Sequence, residues 1–179
     1  EKNIASVVMP IGIDHKDFLK EGTIDEVVYE KCSHLLGGSK IIVSEQKNHI
    51  LKKIKKNIAN NSSEKSIFGE NYNYIKNNKG FIYNDKLGKM NLPLPNLLGD
   101  FQISNVSTAI AAARILDQFN ITKTHIKKAI TKIRSEGRLQ KITQGKLRKY
   151  ISKNNQILID GAHNPLAALA ITKYLETFD

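Results

Sequence analysis

The stretch Ala5-Ser-Val-Val-Met-Pro-Ile-Gly-Ile13 is apolar almost without interruption, and it runs into Asp14-His15. Strands covered on both faces, as in a parallel sheet, read as continuous apolar runs. This segment therefore predicts a buried strand whose exit carries two polar, chemically capable residues. Thr23-Ile-Asp-Glu26 is a capping box that opens a helix. Ile24, Val27, Val28, Cys32, Leu35 and Leu36 form its apolar stripe, and Gly37-Gly38 end it. Lys40–Ser44 reads as a second short buried strand, followed by a Lys-rich amphipathic helix from about Lys47 to Asn60. Strand, helix, strand, helix is the alternation of an α/β fold with right-handed crossovers.

The character then changes. Tyr72–Ile75 and Phe81–Tyr83 predict two strands around the turn Lys76-Asn-Asn-Lys-Gly80. A further turn leads to Met90–Pro95, whose prolines mark an edge or exit segment. Together these predict a small antiparallel addition to the main sheet. After Gly99 a helix is expected to about Asp117, with Val106, Ala109, Ile110, Ala113 and Leu116 on one face. A second helix from Thr122 carries Ile126, Ala129, Ile130 and Ile133, and the short connection predicts an antiparallel pair. Gly137-Arg138 breaks the pattern. Gln156–Asp160 reads as a buried strand ending in an acid, then Asn164 caps a helix with Pro165 at its first position.

Composition narrows the class. The chain of 179 residues has 28 basic residues against 17 acidic ones, a formal charge of +11, and a single cysteine. A lone Cys32 excludes an internal disulfide framework and fits a reducing, cytoplasmic setting. No apolar run approaches the roughly 18–20 residues that span a bilayer, so no membrane partner is expected. Of the basic residues only Arg114, Arg134, Arg138 and Arg148 are arginines; the remainder reads as a bias toward Lys, Asn and Ile on a wet surface. The densest cluster, Lys52–Lys56, has no interleaved aromatic residue to stack on bases. No nucleic-acid partner is expected.

Three places could carry chemistry. Open α/β sheets place ligand sites at strand ends, which singles out Asp14-His15 and the Asp160–His163 turn, although an Asp there also caps helices and a lone His is usually structural. Lys31 falls within the stripe of Ile24, Val28 and Leu35. Either its stem packs while the ammonium reaches water, or burial favours a neutral amine, which carbon dioxide can convert to an anionic carbamate. The only Gly-rich candidate for a phosphate cradle, Gly37-Gly-Ser-Lys40, lacks the Walker order and ends a helix instead of beginning one.

Taken together, Ile11-Gly-Ile-Asp-His15, Tyr29-Glu-Lys31, Gly99-Asp-Phe-Gln-Ile-Ser-Asn105, Gly137-Arg-Leu-Gln140 and Asp160-Gly-Ala-His-Asn-Pro165 resemble the folylpolyglutamate synthase/dihydrofolate synthase family of the Mur ligase superfamily. Each motif alone is weak, but five in order are specific. The resemblance implies a Mur-ligase-like α/β fold, with residues 1–137 as the C-terminal part of the central ATP-binding domain and 138–179 as the truncated start of the glutamate ligase domain. It implies a monomeric, ATP-dependent ligase that joins L-glutamate to folate or dihydropteroate through an acyl phosphate, with magnesium on the nucleotide. Residue by residue, it makes His15 a metal ligand and Lys31 the carbamylated lysine. Asn105 and Arg138 become nucleotide-binding residues, Asp160 the ribose acceptor, and His163 a neighbour of the nucleotide.

The departures from the family pattern are also informative. One extra residue lies around Lys20-Glu-Gly22, Phe101 stands where a polar residue is usual, and no glycine-rich ATP loop occurs in the sequence. The chain, which begins without Met, is therefore expected to be either an excerpt of a working ligase or an inactive remnant. On its own it is expected to show no turnover.

Overall fold

A computed structural model describes residues 4–13, 19–35 and 39–178. At its centre β1 (Ala5–Val8), β2 (Lys40–Val43) and β3 (Lys65–Ile67) pair in parallel in the order β1-β2-β3, with Ala5 opposite Lys40 and Ile41 opposite Lys65. β2 is the middle strand. Ile41, Ile42 and Val43 are fully buried, Ile41 and Val43 on one face and Ile42 on the other. Each such side chain contributes about 1.5–3 kcal/mol by leaving water. The third strand was not expected, because Lys-Ser-Ile offers no apolar run to announce it.

The first strand is shorter than the sequence predicts, and it is not covered on both sides. It ends at Val8, and Val7 and Met9 are exposed, because β1 is an edge strand paired only with β2. Beyond Val8 the backbone is held by a side chain instead of a strand. Gln46 accepts the Ile11 N–H through Oε1 and donates to the Met9 carbonyl through Nε2, both at 2.9 Å, around a proline that has no N–H to offer.

α1 (Ile24–Ser33) and α2 (Asn48–Asn57) cover one face of the sheet. The Thr23 hydroxyl accepts the Glu26 N–H, and Glu26 returns the bond to the Thr23 N–H, the capping box expected. Val27, Val28 and Cys32 are buried. Leu36, Gly37 and Gly38, expected to finish this helix, lie outside the described residues.

The opposite face packs against α3 (Phe101–Ile115), α4 (Lys123–Lys132) and the antiparallel strands β4 (Tyr72–Asn77), β5 (Gly80–Asp85) and β6 (Gly88–Leu92). These strands form their own three-stranded sheet instead of adding to the first, joined to it by a single bridge between Phe68 and Tyr72. α3 is more enclosed than a one-faced stripe predicts: Gln102, Ser104, Ser107 and Thr108 are buried beside its aliphatic residues, since it touches both sheets. Its polar groups are largely accommodated. Thr108 donates to the Ser104 carbonyl, and the Tyr72 hydroxyl donates to the Val43 carbonyl while lying 3.2 Å from Thr108 Oγ1.

The last segment comprises β7 (Gln140–Lys141), β8 (Leu158–Ile159) and α5 (Pro165–Leu175). The expected buried strand at 156–160 is only two residues long, and Ile159 is exposed; its partner among the described residues is the equally short β7. α5 starts as the sequence predicts: the Asn164 side chain accepts the Ala167 N–H and Pro165 takes the first turn. None of its residues is buried.

Candidate functional site

The C-terminal end of β1 opens onto a cleft of about 500 Å³. Met9–Gly12 form one wall, Val27, Glu30 and Lys31 of α1 another, and Asn164 and Leu166 at the start of α5 a third. That volume lies within the range of small-molecule sites. The closeness of the third wall is explicit: a Cβ placed on Gly12 would stand 3.0 Å from Leu166 Cβ. The strand exit and the start of α5 therefore share a face of the molecule.

Lys31 is exposed, although the helical spacing puts it inside the apolar stripe. Val28 and Cys32 face the core, whereas Lys31 lines the open cleft beside Glu30. Its neighbour Cys32 points inward, and burial pushes its thiol upward, keeping it protonated and unreactive. Asp14 and His15, singled out in the sequence after the first apolar run, lie outside the described residues.

From the cleft the polypeptide leads directly to a second group of the expected site residues. Asp160 accepts the Leu139 N–H through Oδ2 at 2.7 Å and the Ala162 N–H through Oδ1 at 2.8 Å. Gly161 N–H donates to the Gly137 carbonyl at 2.8 Å, so the turns 137–140 and 160–162 are clipped together at two points. This clip presents Arg138 exposed at its surface, while Leu139 is buried with φ +46, a conformation uncommon outside glycine. His163 is exposed, with Nδ1 2.8 Å from the Gly161 carbonyl oxygen.

The third group arrives through the start of α3. A Cβ on Gly99 would meet the Phe101 ring and lie 3.2 Å from Leu139 Cδ1, which sets the Arg138 turn against this helix end. Asn105 is one turn further along and on the same face as Phe101. Its amide donates to Gln102 Oε1 at 3.0 Å, which orients it. Phe101, the departure noted in the sequence, thus fills the space between Gly99 and Leu139.

The described stretches around Lys31, Asn105, Arg138, Asp160 and His163 therefore form a continuous series of neighbours. Among the described residues no hydrogen bond or ion pair joins Lys31 directly to Arg138, Asp160 or Asn105; the link runs through residues 160–166. Glu30 lines the cleft, and Gln46 braces its wall through the backbones of Met9 and Ile11; neither was singled out as a site residue. Gln46 carries no local signal, and Glu30 reads in sequence as an ordinary exposed helix residue.

Among the described residues no group of three or more His, Cys, Asp or Glu side chains could hold a metal ion as a dedicated cage. Glu30 is the one carboxylate in the described cleft wall. That donor set fits a hard cation carried mainly by the oxygens of a phosphate ligand, which needs only one or two protein ligands. No described helix is long and apolar enough to cross a membrane.

No protein-family model matches the chain. Individual proteins do. The dihydrofolate synthetase of Saccharomyces cerevisiae is 27% identical over 173 residues, spanning 94% of this chain and 39% of that protein. The folylpolyglutamate synthase of Lacticaseibacillus casei is 25% identical over 171 residues, spanning 90% of this chain and 37% of that protein. Among solved structures, E. coli FolC in complex with DHPP and ADP superimposes with a TM-score of 0.79 at 25% identity, over 98% of this chain and 38% of that one. The chain is similar to members of the folylpolyglutamate synthase/dihydrofolate synthase family. A folylpolyglutamate synthase complex with AMPPCP and folate gives a TM-score of 0.83 at 23% identity, over 98% of this chain and 42% of that one, which establishes the shared α/β fold. The chain spans about two fifths of the length of the family members it matches.

Proposed function

We propose that this chain is part of an ATP-dependent ligase that adds L-glutamate to a folate or dihydropteroate through an acyl phosphate. The observation that supports the reading is a series of neighbours: Gly12 meets Leu166 beside the cleft that Lys31 lines, Asp160 holds the turn that carries Arg138, and Leu139 of that turn lies against Gly99 before α3. Described parts of stretches far apart in the sequence are thus adjacent in space. The superimposed structures are complexes with AMPPCP and folate and with ADP and DHPP, which supports a nucleotide and a pteridine substrate here.

In this reading each residue has a distinct task. Arg138, exposed at the clip, offers a fixed fork of donors to phosphate oxygens. Asn105, held by Gln102, presents an oriented amide to the nucleotide. Asp160 keeps acceptor capacity for ribose hydroxyls beyond its two backbone bonds, because a carboxylate has about four lone-pair sites. His163 borders the nucleotide from the same turn. Lys31 is exposed in the cleft wall beside Glu30, so burial does not favour its neutral amine here; the carbamate is what the family resemblance implies, formed when the amine nitrogen bonds the carbon of carbon dioxide and loses a proton. A bound magnesium ion would supply charge neutralisation at the phosphates, held by nucleotide oxygens with Glu30 and, as the family resemblance implies, His15. Residues 1–137 serve the nucleotide and 138–179 open the glutamate-handling domain. The compartment is the cytoplasm and the working form a monomer.

The alternative reading is an inactive remnant of such a ligase; a sequence without a Gly-Lys-Ser/Thr loop is compatible with either. The two separate on a pair of measurements. Titration of the chain with magnesium and ATP, followed by amide chemical shifts, should give weak binding with shifts confined to Gly12, Lys31, Asn105 and residues 137–140 and 160–163. Shifts scattered elsewhere, or none, would overturn the assignment of this wall. Incubation with ATP, magnesium, glutamate and either dihydropteroate or a reduced folate should release no glutamate-dependent phosphate from the chain alone. In a longer protein containing this chain the same assay should show turnover that Arg138→Ala and His15→Ala abolish.

A further inference from the structure

The net charge is not evenly spread. Residues 118–159 hold eleven of the 28 basic residues and only one of the 17 acids, Glu136, so the rest of the chain is close to neutral. Part of this charge lines an open groove of about 1020 Å³ between the β4–β5 turn and α4, well removed in sequence from the motif stretches. Lys79 stands on the turn side, and Lys127 and Lys128 on the helix side. No carboxylate lines it. Among the described residues none of these three lysines takes part in an ion pair, whereas Lys40, Lys53, Lys55, Lys76 and Lys86 all do.

The groove is also built, not merely charged. Thr124, Lys127, Lys128 and Thr131 recur at helical spacing on one face of α4, and Ile126 and Ile130 are buried on the other, which fixes the rotation of the helix. Asn96 locks it further, with its backbone N–H donating to the Ile130 carbonyl and its side chain to that of Ile133. The floor is Phe81, Leu92 and Pro93, flanked by the amides of Asn77 and Asn91.

We propose that this groove binds an extended chain of carboxylates linked by amides, the oligo-γ-glutamyl tail of the ligase product. The proposal rests on the ligase reading. Lysine ammoniums are point charges suited to single carboxylates, and the groove offers no arginine for two-point phosphate recognition. Its one aromatic residue, Phe81, is fully buried, so no ring is available for a base to stack on, which disfavours nucleic acid. The asparagine and threonine side chains supply neutral partners for the amide links between carboxylates.

The test is fluorescence anisotropy of a labelled penta-γ-glutamate on the full chain at low salt. Binding is expected, to weaken about tenfold in K127Q/K128Q and several-fold in K79Q, on a separate element. The charge-matched control K52Q/K56Q on α2 should leave the affinity unchanged. No binding by the wild type, equal weakening in the control, or tighter binding of a single-stranded RNA of matched charge would each overturn the proposal. Because the probe contains no pteridine and needs no nucleotide, its failure is separable from failure of the ligase assay.

Discussion

The Asp160 carboxylate takes the Leu139 N–H at 2.7 Å and so fixes the turn that carries Arg138. Leu139 is buried at φ +46, a conformation that needs its surroundings to hold it. Asp160→Ala removes both the Leu139 and the Ala162 bonds and should cost about 1–3 kcal/mol. The check is hydrogen exchange at the Leu139 amide, which should accelerate in the alanine variant and less so in Asp160→Asn, where one acceptor oxygen survives. Unchanged protection in Asp160→Ala would mean that packing alone holds the turn.

A second buried link joins α3 to β5. Arg114 Nε and Nη2 donate to the two Asp85 oxygens at 2.6 and 3.0 Å, and the side chains are only 14% and 9% exposed. Breaking such a pair from one side leaves a buried charge without its partner and costs about 3–5 kcal/mol. Arg114→Met should therefore lower the urea midpoint sharply. Adding Asp85→Asn should recover part of the loss, because the amide oxygen still accepts the Leu87 N–H without a charge. Additive losses in the double variant would show that the two groups do not act as a pair.

Alkaline pH tests the buried polar layer. Burial pushes the Tyr72 and Tyr74 hydroxyls up to about 12, Tyr74 with help from Glu45, and drives Tyr83 higher still. Below pH ~10 the tyrosines are neutral in both folded and unfolded chains, so their contribution is fully present. As pH rises through 10 to 12 the unfolded chain releases these protons first, and stability falls. Unfolding free energy should thus drop above pH ~10 together with a late rise in tyrosinate absorbance. Tyr72→Phe should reduce the slope of that drop, at the cost of the Val43 carbonyl bond. A slope indifferent to the substitution would remove Tyr72 from the account.

How much of this was legible in the sequence depends on where the signal resides. The Thr23–Glu26 box, the Asn164-Pro165 helix start and the β4–β5 hairpin are local, and local chemistry announced them. β3 is three residues of mixed polarity and exists because β2 offers it a partner; nothing in Lys-Ser-Ile says so. The overextended reading of β1 failed because a run of apolar residues records a need for cover but not where the backbone bonds stop, and Gln46, more than thirty residues on, decides that. At the site, the motif stretches identified the turns, whereas their convergence through Leu166 and Leu139 is tertiary. The exposure of Lys31 was hidden for the same reason: helical spacing fixes a face, and only the neighbouring elements determine whether that face is covered.

Gly80 offers a sharp local test of the groove. It opens β5 at φ +153, paired with Asn77 across the hairpin, and a Cβ there would run into the Leu92 carbonyl oxygen of β6. Both the backbone conformation and the close approach exclude a side chain. Gly80→Ala must therefore displace the strand start that positions the fully buried Phe81, and a loss of at least about 1–3 kcal/mol is expected. The damage should be regional: amide protection in β5 and β6 should fall, while α1 and α2, which pack around a separate cluster, keep theirs. Equal loss of protection in α1 and α2 would show that the two clusters unfold as one unit. An unaltered urea midpoint would mean that the β4–β5 turn can relax around the methyl group at no cost.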